Sequence, residues 1–272
     1  TLQATESFGL FNGSPGTNNR AIALTNQSGI DVVSGKSLSV PGGVSGTGGL
    51  NKTGAGELVL YTNTYAGPTV VKEGVLRLFR SNALSASSSI TIENGGSLYI
   101  RDNGHTFSQA MTLSGSNANG AVYTQFGGTT QINGPVTLAA NALVQQGTGT
   151  TLNIGGPVNL GPHTLALNIG GSNRSTISNA IAGTGGIKKS GAGTLMLTGN
   201  TLFAGDLSVE AGTLLIHGTL AHGTEVAVNN DAVLGGNGVI GRPVAVNDFA
   251  TMSPGDGVGM LTCLLYTSDA AD

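Results

Sequence analysis

Short runs of alternating apolar and polar residues recur along almost the whole chain. Most runs are short and end at Gly, Asn or Ser, which are residues typical of turns. Because successive side chains of a strand point to opposite faces, this period of two predicts short strands with one buried face. Helical spacing is not convincing in any window, so the pattern predicts an all-β protein.

One cassette with this pattern occurs twice, at residues 46–78 and 183–216. The two copies align position for position up to Asn63-Thr64 and Asn200-Thr201, after which the second copy carries one extra residue. Each copy contains a glycine-rich corner, a strand, a turn and two further strands. The positions that fall at period two are Leu58, Leu60, Thr69, Val71, Leu76 and Leu78 in the first copy and Leu195, Leu197, Leu207, Val209, Leu214 and Ile216 in the second.

The strands between the two copies share their period and their corners, which favours one continuous stack of coils. A β-sandwich usually has strands of ~5–6 residues and closes at roughly 100 residues. Here short strands and small corners continue over most of the chain, which is typical of a solenoid with coils of ~20 residues. We therefore predict a single solenoid segment over residues 1–262, incomplete at both ends.

Composition and charge exclude several classes of protein. The chain has 46 Gly, no Trp, 9% charged residues and a formal charge of −3. Its 11 Lys and Arg residues are scattered, which argues against a nucleic-acid partner. No stretch approaches the ~18–20 consecutive apolar residues of a membrane-spanning helix. The N-terminus lacks a signal sequence and resembles the interior of a longer protein.

The last ten residues differ in composition from the rest of the chain. Cys263, the one cysteine, opens the run CLLYTSDAAD, which resembles the in-frame translation of a sequencing-library adaptor. We interpret residues 263–272 as an assembly artefact. The remaining chain would then be free of cysteine, as suits an exported bacterial protein.

The two cassettes resemble the autotransporter-associated β-strand repeat, whose core reads G-x-L-x-K-x-G-x-G-x-L-x-L and is followed by an Asn-Thr-Tyr turn. The matching positions are Gly49, Lys52, Gly54, Gly56, Leu58, Leu60 and Asn63 in the first copy and Gly186, Lys189, Gly191, Gly193, Leu195, Leu197 and Asn200 in the second. We interpret their lysines and glycines as structural residues at corners and on the coil surface.

This resemblance implies a right-handed parallel β-helix, the passenger of a bacterial protein exported by type V secretion. It also implies a secreted or cell-surface location. The implied partner is an outer-membrane translocation machinery or a membrane barrel in the parent protein. A host or matrix surface ligand would be a partner only under the alternative of an adhesin module. Neither a cofactor nor a metal is implied.

Candidate chemistry is sparse. Residues 236–241 match G-x-G-x-x-G, but a short strand follows instead of a helix, so we interpret them as a corner. The four histidines show no close metal-ligand spacing. A polysaccharide lyase or hydrolase would need converging carboxylates, and the best local cluster is Asp102 with Arg101 and His105. We predict no enzyme but a structural stalk that supports vectorial folding and display; the alternatives are a glycan-binding adhesin module and, third, a β-helix polysaccharide enzyme.

Overall fold

The computed structural model describes residues 1–6, 8–9, 20–80, 83–84, 86–101, 104–115, 118–256 and 259–268. The described part of the chain is built from strands and turns, with no helix. The strands are β1 Leu2–Ala4, β2 Phe8–Gly9, β3 Ile22–Leu24, β4 Ser28–Val32, β5 Ser37–Val40, β6 Val44–Gly46, β7 Leu50–Thr53, β8 Glu57–Leu60, β9 Thr69–Leu78, β10 Ser89–Arg101, β11 Thr106–Phe107, β12 Ala110–Gly115, β13 Val122–Gln125, β14 Thr129–Ile132, β15 Val136–Gln146, β16 Thr151–Ile154, β17 Val158–Asn159, β18 Leu165–Ile169, β19 Arg174–Ile177, β20 Ile181–Gly183, β21 Ile187–Ser190, β22 Thr194–Leu197, β23 Thr201–Phe203, β24 Leu207–Val209, β25 Thr213–Ile216, β26 Thr219–Leu220, β27 Val226–Val228, β28 Val233–Gly236, β29 Val239–Val246, β30 Thr251–Pro254 and β31 Thr262–Ser268.

These strands pair in parallel with the equivalent strands of the preceding and following coils. Leu207 of β24, for example, lies between Ile187 of β21 and Val226 of β27. The spacing between paired residues varies with the length of the corners: Val244 follows its partner Val226 by 18 residues, whereas Val122 follows Leu98 by 24. The result is a parallel β-solenoid of about 11 turns, which confirms the predicted all-β parallel stack.

The ladders form sheets of 21, eight and two strands. The eight-stranded sheet, from β11 to β30, forms one face of the solenoid. The largest sheet covers more than one face because four long strands, β9, β10, β15 and β29, each pair with two strands of a neighbouring coil. In β10 the register shifts between Ile92 and Gly95, where the strand bends from one face to the next.

The core is a set of aliphatic columns that run along the inside of the stack. All the period-two positions predicted in the two cassettes are buried, from Leu58 at 0% exposure to Leu195 at 1%. The parallel register places each residue above its counterpart in the coil before, so that the inward positions stay buried from coil to coil. Two of these inward columns hold a lysine, at Lys52 and Lys189.

The final strand continues the ladder. β31 lies along β29, with Thr262 opposite Val239 and Tyr266 opposite Val244. Residues 269–272 lie outside the described part of the chain, and the adaptor origin of residues 263–272 stays a prediction. Among the described residues, no helix is long and apolar enough to cross a membrane.

Candidate functional site

The corner after β7 is closed by the side chain of Lys52. Lys52 follows Leu50 at period two on β7, so its side chain points inward between Ile30 of the preceding coil and Val71 of the next. The residue is 0% exposed. Its ammonium group donates hydrogen bonds to the carbonyl oxygens of Thr53 at 2.8 Å, Gly54 at 2.6 Å and Glu73 at 3.0 Å.

The corner after β21 repeats this arrangement with Lys189. Lys189 is also 0% exposed and lies in an inward column between Leu167 and Val209. Its ammonium group donates to the carbonyl oxygens of Ser190 at 3.1 Å, Gly191 at 2.7 Å and Ala211 at 2.8 Å. In both copies two acceptors belong to the corner of the lysine and the third belongs to the corner of the following coil.

Burial dominates the electrostatics of both lysines. Removal from water disfavours the charged ammonium and lowers the pKa of Lys52 and of Lys189 to about 8. Around Lys52 the carboxylates of Asp31 and Glu73 oppose this effect. An ammonium group has three protons to donate, and each lysine places all three on backbone carbonyls.

The glycines of the motif shape the cage around each lysine. Gly54 and Gly191 have φ of 72° and 75°, in the left-handed region that glycine adopts without steric cost. Their carbonyls turn toward the ammonium group, whereas the stem of the lysine packs in the aliphatic column. The expectation that the motif lysines lie on the coil surface is therefore wrong: they are interior caps.

The remaining motif glycines lie where the backbone of another coil passes close by. A Cβ atom at Gly186 would lie 2.6 Å from the carbonyl oxygen of Asp206. A side chain would likewise lack room at Gly49, Gly56 and Gly193. The motif leucines Leu58, Leu60, Leu195 and Leu197 are all core residues. These four leucines are structural residues because their side chains are buried in the core.

Asn63 forms a second link between coils. Its Oδ1 accepts a hydrogen bond of 2.9 Å from the backbone N–H of Val44, in the preceding coil. Its Nδ2 donates to the carbonyl of Ala83, in the following coil, at 2.9 Å. The side chain is 4% exposed and thus joins three coils through one amide.

Asn200 does not take the equivalent place in the second copy. It is exposed, whereas Thr201 is 2% exposed and pairs with Ile181, the counterpart of Val44. Thr201 donates from its hydroxyl to the carbonyl of Thr219 at 3.2 Å. The extra residue of the second copy therefore lies before this position, not after it, and the predicted equivalence of Asn63 and Asn200 is wrong.

Arg242 is a structural residue that the sequence reasoning missed. It is 1% exposed and reaches back past Gly223 of the preceding coil to the coil before that. There its guanidinium donates hydrogen bonds to the carbonyls of Gly205 at 2.8 Å and Phe203 at 2.9 Å. The same guanidinium lies over the Phe203 ring, with its carbon Cζ 4.5 Å from the ring centroid. Burial lowers the pKa of Arg242 to about 10. The only sequence signal was an arginine at an inward position of a strand.

The other candidate residues do not form a reactive site in the described part of the chain. Residues 236–241 run from β28 into β29 as a corner between strands, as predicted. His105 is buried against Phe107, with ring centroids 5.9 Å apart, and burial lowers its pKa. Asp102 lies outside the described residues. Within the described ranges, no group of three or more His, Cys, Asp or Glu side chains could hold a metal ion.

Stacked coils with capped corners define the class of this protein as a parallel β-solenoid built from repeats. Residues 50–78 and 187–216 match the family described as Passenger-associated-transport-repeat. Two segments of the chain therefore match this repeat family, and the resemblance inferred from the cassettes is confirmed. Each matched segment contains one buried lysine with its carbonyl cage.

Three characterised proteins contain similar segments. An extracellular serine protease of Serratia marcescens is 41% identical over 87 residues, which is 32% of this chain and 8% of that protein. The Adhesin BmaC autotransporter of Brucella suis biovar 1 (strain 1330) is 39% identical over 82 residues, or 30% of this chain and 2% of the adhesin. A second extracellular serine protease of Serratia marcescens is 38% identical over 88 residues, which is 32% of this chain and 8% of that protein. The matches thus span less than a tenth of each relative, and no solved structure matches the chain.

Proposed function

We propose that this chain is a non-enzymatic stalk segment of an exported bacterial surface protein and that it folds vectorially, coil by coil. In this proposal the segment is secreted or displayed at the cell surface through its parent protein. The parent would cross the outer membrane through a translocation machinery or a barrel of its own. The role of the segment is mechanical: it extends the parent from the membrane and folds as it emerges.

The observation that carries this proposal is the reach of the lysine caps. Lys52 and Lys189 each bind the corner of the next coil, through Glu73 and Ala211, so neither lysine cap needs a distant part of the chain. Strand pairing is equally local, because β24 pairs only with strands of its two adjacent coils. A chain that leaves a membrane pore from one end can form such contacts in order, and each new coil disfavours backsliding.

The absence of enzymatic activity is part of the proposal. A lysine that is 0% exposed and bound to three carbonyls cannot reach a substrate as a nucleophile or base. In addition, the relatives with similar segments have two different named roles, a protease and an adhesin. A scaffold shared by proteins of different activity explains this more simply than one shared reaction.

The test compares two deletions in the parent protein expressed in a Gram-negative host. Deletion of residues 183–216 removes the second cassette and joins coils out of phase, because β20 would be followed directly by β26, the strand that occupies the same place in the ladder two coils on. Deletion of residues 187–206 removes one turn in phase, because Leu207 lies directly above Ile187 and takes its place over Leu165. Surface display is measured by antibody binding to a tag at the distal end of the passenger.

We expect the out-of-phase deletion to lower the displayed fraction severalfold and the in-phase deletion to leave display near the wild-type level. Total expression, measured on lysed cells, is the control. Equal surface display of both deletion proteins and of the wild type would contradict the proposed stalk role. Display lost equally in both would contradict coil-by-coil folding.

A further inference from the structure

The outer face of the three coils that follow Glu57 carries a ladder of aromatic and arginine side chains. Arg77, Tyr99 and Tyr123 stand one above the other in register on β9, β10 and β13. The guanidinium of Arg77 covers the Tyr99 ring at 5.0 Å from its centroid. Tyr99 in turn stacks on Tyr123, with centroids 5.1 Å apart and planes at 20°.

A second ladder runs beside the first. The rings of Tyr61 and Phe79 lie 4.9 Å apart on adjacent coils. Arg101 follows, with its guanidinium 5.7 Å from the centroid of Phe79 and 4.6 Å from that of Phe126. Five of the twelve Phe and Tyr residues of the chain therefore share one surface.

Phe126 is held in an unfavourable backbone conformation at the end of this ladder. Its φ is 69°, in the left-handed region that bulky residues rarely adopt, and its side chain is 54% exposed. Neither feature helps to bury apolar surface. Phe249 shares both features, with φ of 59° and 82% exposure, so it is the contact with Arg101 that assigns Phe126 to this surface.

A pocket of about 210 Å³ opens between the ladder and the neighbouring column. The Glu57 carboxylate and the Arg77 guanidinium lie 2.6 Å apart in its wall. Tyr99 donates from its hydroxyl to Oε1 of Gln125 at 2.7 Å, which fixes the ring. The side chains that line the pocket include Glu57, Arg77, Ser97, Tyr99, Asn119 and Tyr123.

The repeat does not require this surface, as the second cassette shows. Strands β22 and β25 pair in the same register as β8 and β9. The second cassette has Thr194 in place of Glu57 and Leu215 in place of Arg77. The same scaffold thus closes without the ion pair of Glu57 and Arg77, so the coils do not need this pair in order to stack.

We propose that this pocket, lined by Glu57, Arg77, Asn119, Tyr99 and Tyr123, binds one ring of a neutral oligosaccharide whose chain continues over Phe126. A sugar ring presents apolar C–H groups, which suit the edges of the stacked tyrosine rings, and hydroxyls, which both donate and accept. The wall offers the carboxylate of Glu57, which accepts, and the guanidinium of Arg77, which donates. Because the charges of Glu57 and Arg77 cancel, the pocket favours an uncharged ligand over an anionic one.

The size of the pocket agrees with this ligand. Sites that enclose a drug-sized molecule measure ~300–1,000 Å³, so a cavity of about 210 Å³ holds one small ring and leaves the rest of a chain on the surface. This inference does not depend on the stalk role, since a rigid stalk and a glycan-binding face are compatible on one solenoid. Display and glycan binding are measured separately, so that either proposal fails alone.

The test uses the purified 272-residue chain on an array of tetrasaccharides. The probes are neutral glucose, galactose, mannose and N-acetylglucosamine tetrasaccharides, with uronic-acid and sialic-acid tetrasaccharides for comparison. The dissociation constant of each retained probe is then measured by calorimetry. The variants are Tyr123→Ser and the pair Glu57→Thr with Arg77→Leu, which installs residues that the second cassette already folds with. The matched control is Phe249→Ala, because Phe249 is 82% exposed and lies outside the pocket.

We expect a neutral probe to bind, and both pocket variants to weaken binding by about tenfold or more. Phe249→Ala should bind as the wild type does. Circular dichroism checks that each variant is folded, and the two pocket variants provide independent tests. Retention of acidic probes alone, retention of none, or equal binding by wild type and both pocket variants would overturn the proposal.

Discussion

The ammonium group of Lys189 donates a hydrogen bond of 2.8 Å to the carbonyl of Ala211, one coil further along the solenoid. The adjacent residue, Lys188, points outward and forms a surface ion pair with Glu210 at 3.3 Å. Two consecutive lysines of one strand thus have opposite environments, because successive side chains face opposite sides of the sheet. The pair offers a direct test of what the buried cap contributes.

Lys189→Met should lower the free energy of unfolding by about 2–4 kcal/mol, because it retains the apolar stem but leaves three carbonyls without their donor. Lys188→Met is the matched control and should change stability by less than about 1 kcal/mol, as expected for an exposed ion pair. Urea denaturation followed by circular dichroism measures both. Equal effects of the two substitutions would show that the cage adds nothing to stability.

The stability due to Lys189 should rise with pH above about 8. The pKa of Lys189 is about 8 in the folded protein against the ordinary 10.5. Between these values the unfolded chain binds more protons than the folded chain, so the free energy of unfolding increases with pH. Below pH 7 both states are protonated and the contribution is constant.

The measurement for this prediction is the difference in free energy of unfolding between the wild type and Lys189→Met at pH 7, 8, 9 and 10. Subtraction removes the titration of other groups that the two proteins share. We expect the difference to grow in favour of the wild type from pH 8 to pH 10. A difference that shrinks with pH would mean that the three carbonyls hold the charged form more strongly than burial disfavours it.

Asn63→Leu should lower the free energy of unfolding by about 1–3 kcal/mol, because the backbone N–H of Val44 and the carbonyl of Ala83 lose their buried partner. Asn200→Leu should have an effect within about 0.5 kcal/mol, since Asn200 is exposed. Thermal and urea denaturation of the two variants measure both changes in the free energy of unfolding. Similar losses in both would restore the equivalence suggested by the aligned sequences.

Gly223→Ala should destabilise the protein by about 2–3 kcal/mol. Its φ is 133°, and a Cβ atom there would overlap the guanidinium of Arg242. Combined with Arg242→Ala, which removes the obstacle, the same substitution should cost roughly 1 kcal/mol less. A double-mutant cycle by urea denaturation measures this coupling.

Gly149→Ala is the control for backbone strain. Gly149 has φ of 80° and no atom within 4 Å of the added Cβ. Gly149→Ala should lower the free energy of unfolding only by the cost of the left-handed backbone conformation. Its effect should not change when it is combined with Arg242→Ala. Additive effects of Gly223→Ala and Arg242→Ala would mean that the arginine does not pass over this glycine in solution.

Much of the fold could be predicted from the sequence because burial alternates along a strand. The spacing of Leu58 and Leu60, repeated at Leu195 and Leu197, was sufficient for short strands with one buried face, and all four are in the core. The same period contained the signal for the buried lysine, since Lys52 is in phase with Leu50. A charged residue at an inward position nevertheless favours the surface until its partners are known.

The site depends on partners that local pattern cannot supply. Asn63 and Asn200 look equivalent in aligned sequences, and only the strand register shows that Thr201 takes the buried place. Arg242 binds carbonyls that precede it by 37 and 39 residues, across an intervening coil. The ladder of Arg77, Tyr99 and Tyr123 likewise arises from coils of unequal length, which bring these residues into one column.

The residue pattern alone was enough to predict an all-β stack of coils in which one export-associated cassette occurs twice. Period and repetition are local properties, and each coil needs only its neighbours. The tertiary structure decided which side chains cap the corners, which one spans three coils and which outer groups meet in a pocket. These contacts depend on register between coils, and register is set by corner lengths that alternation along one strand does not encode.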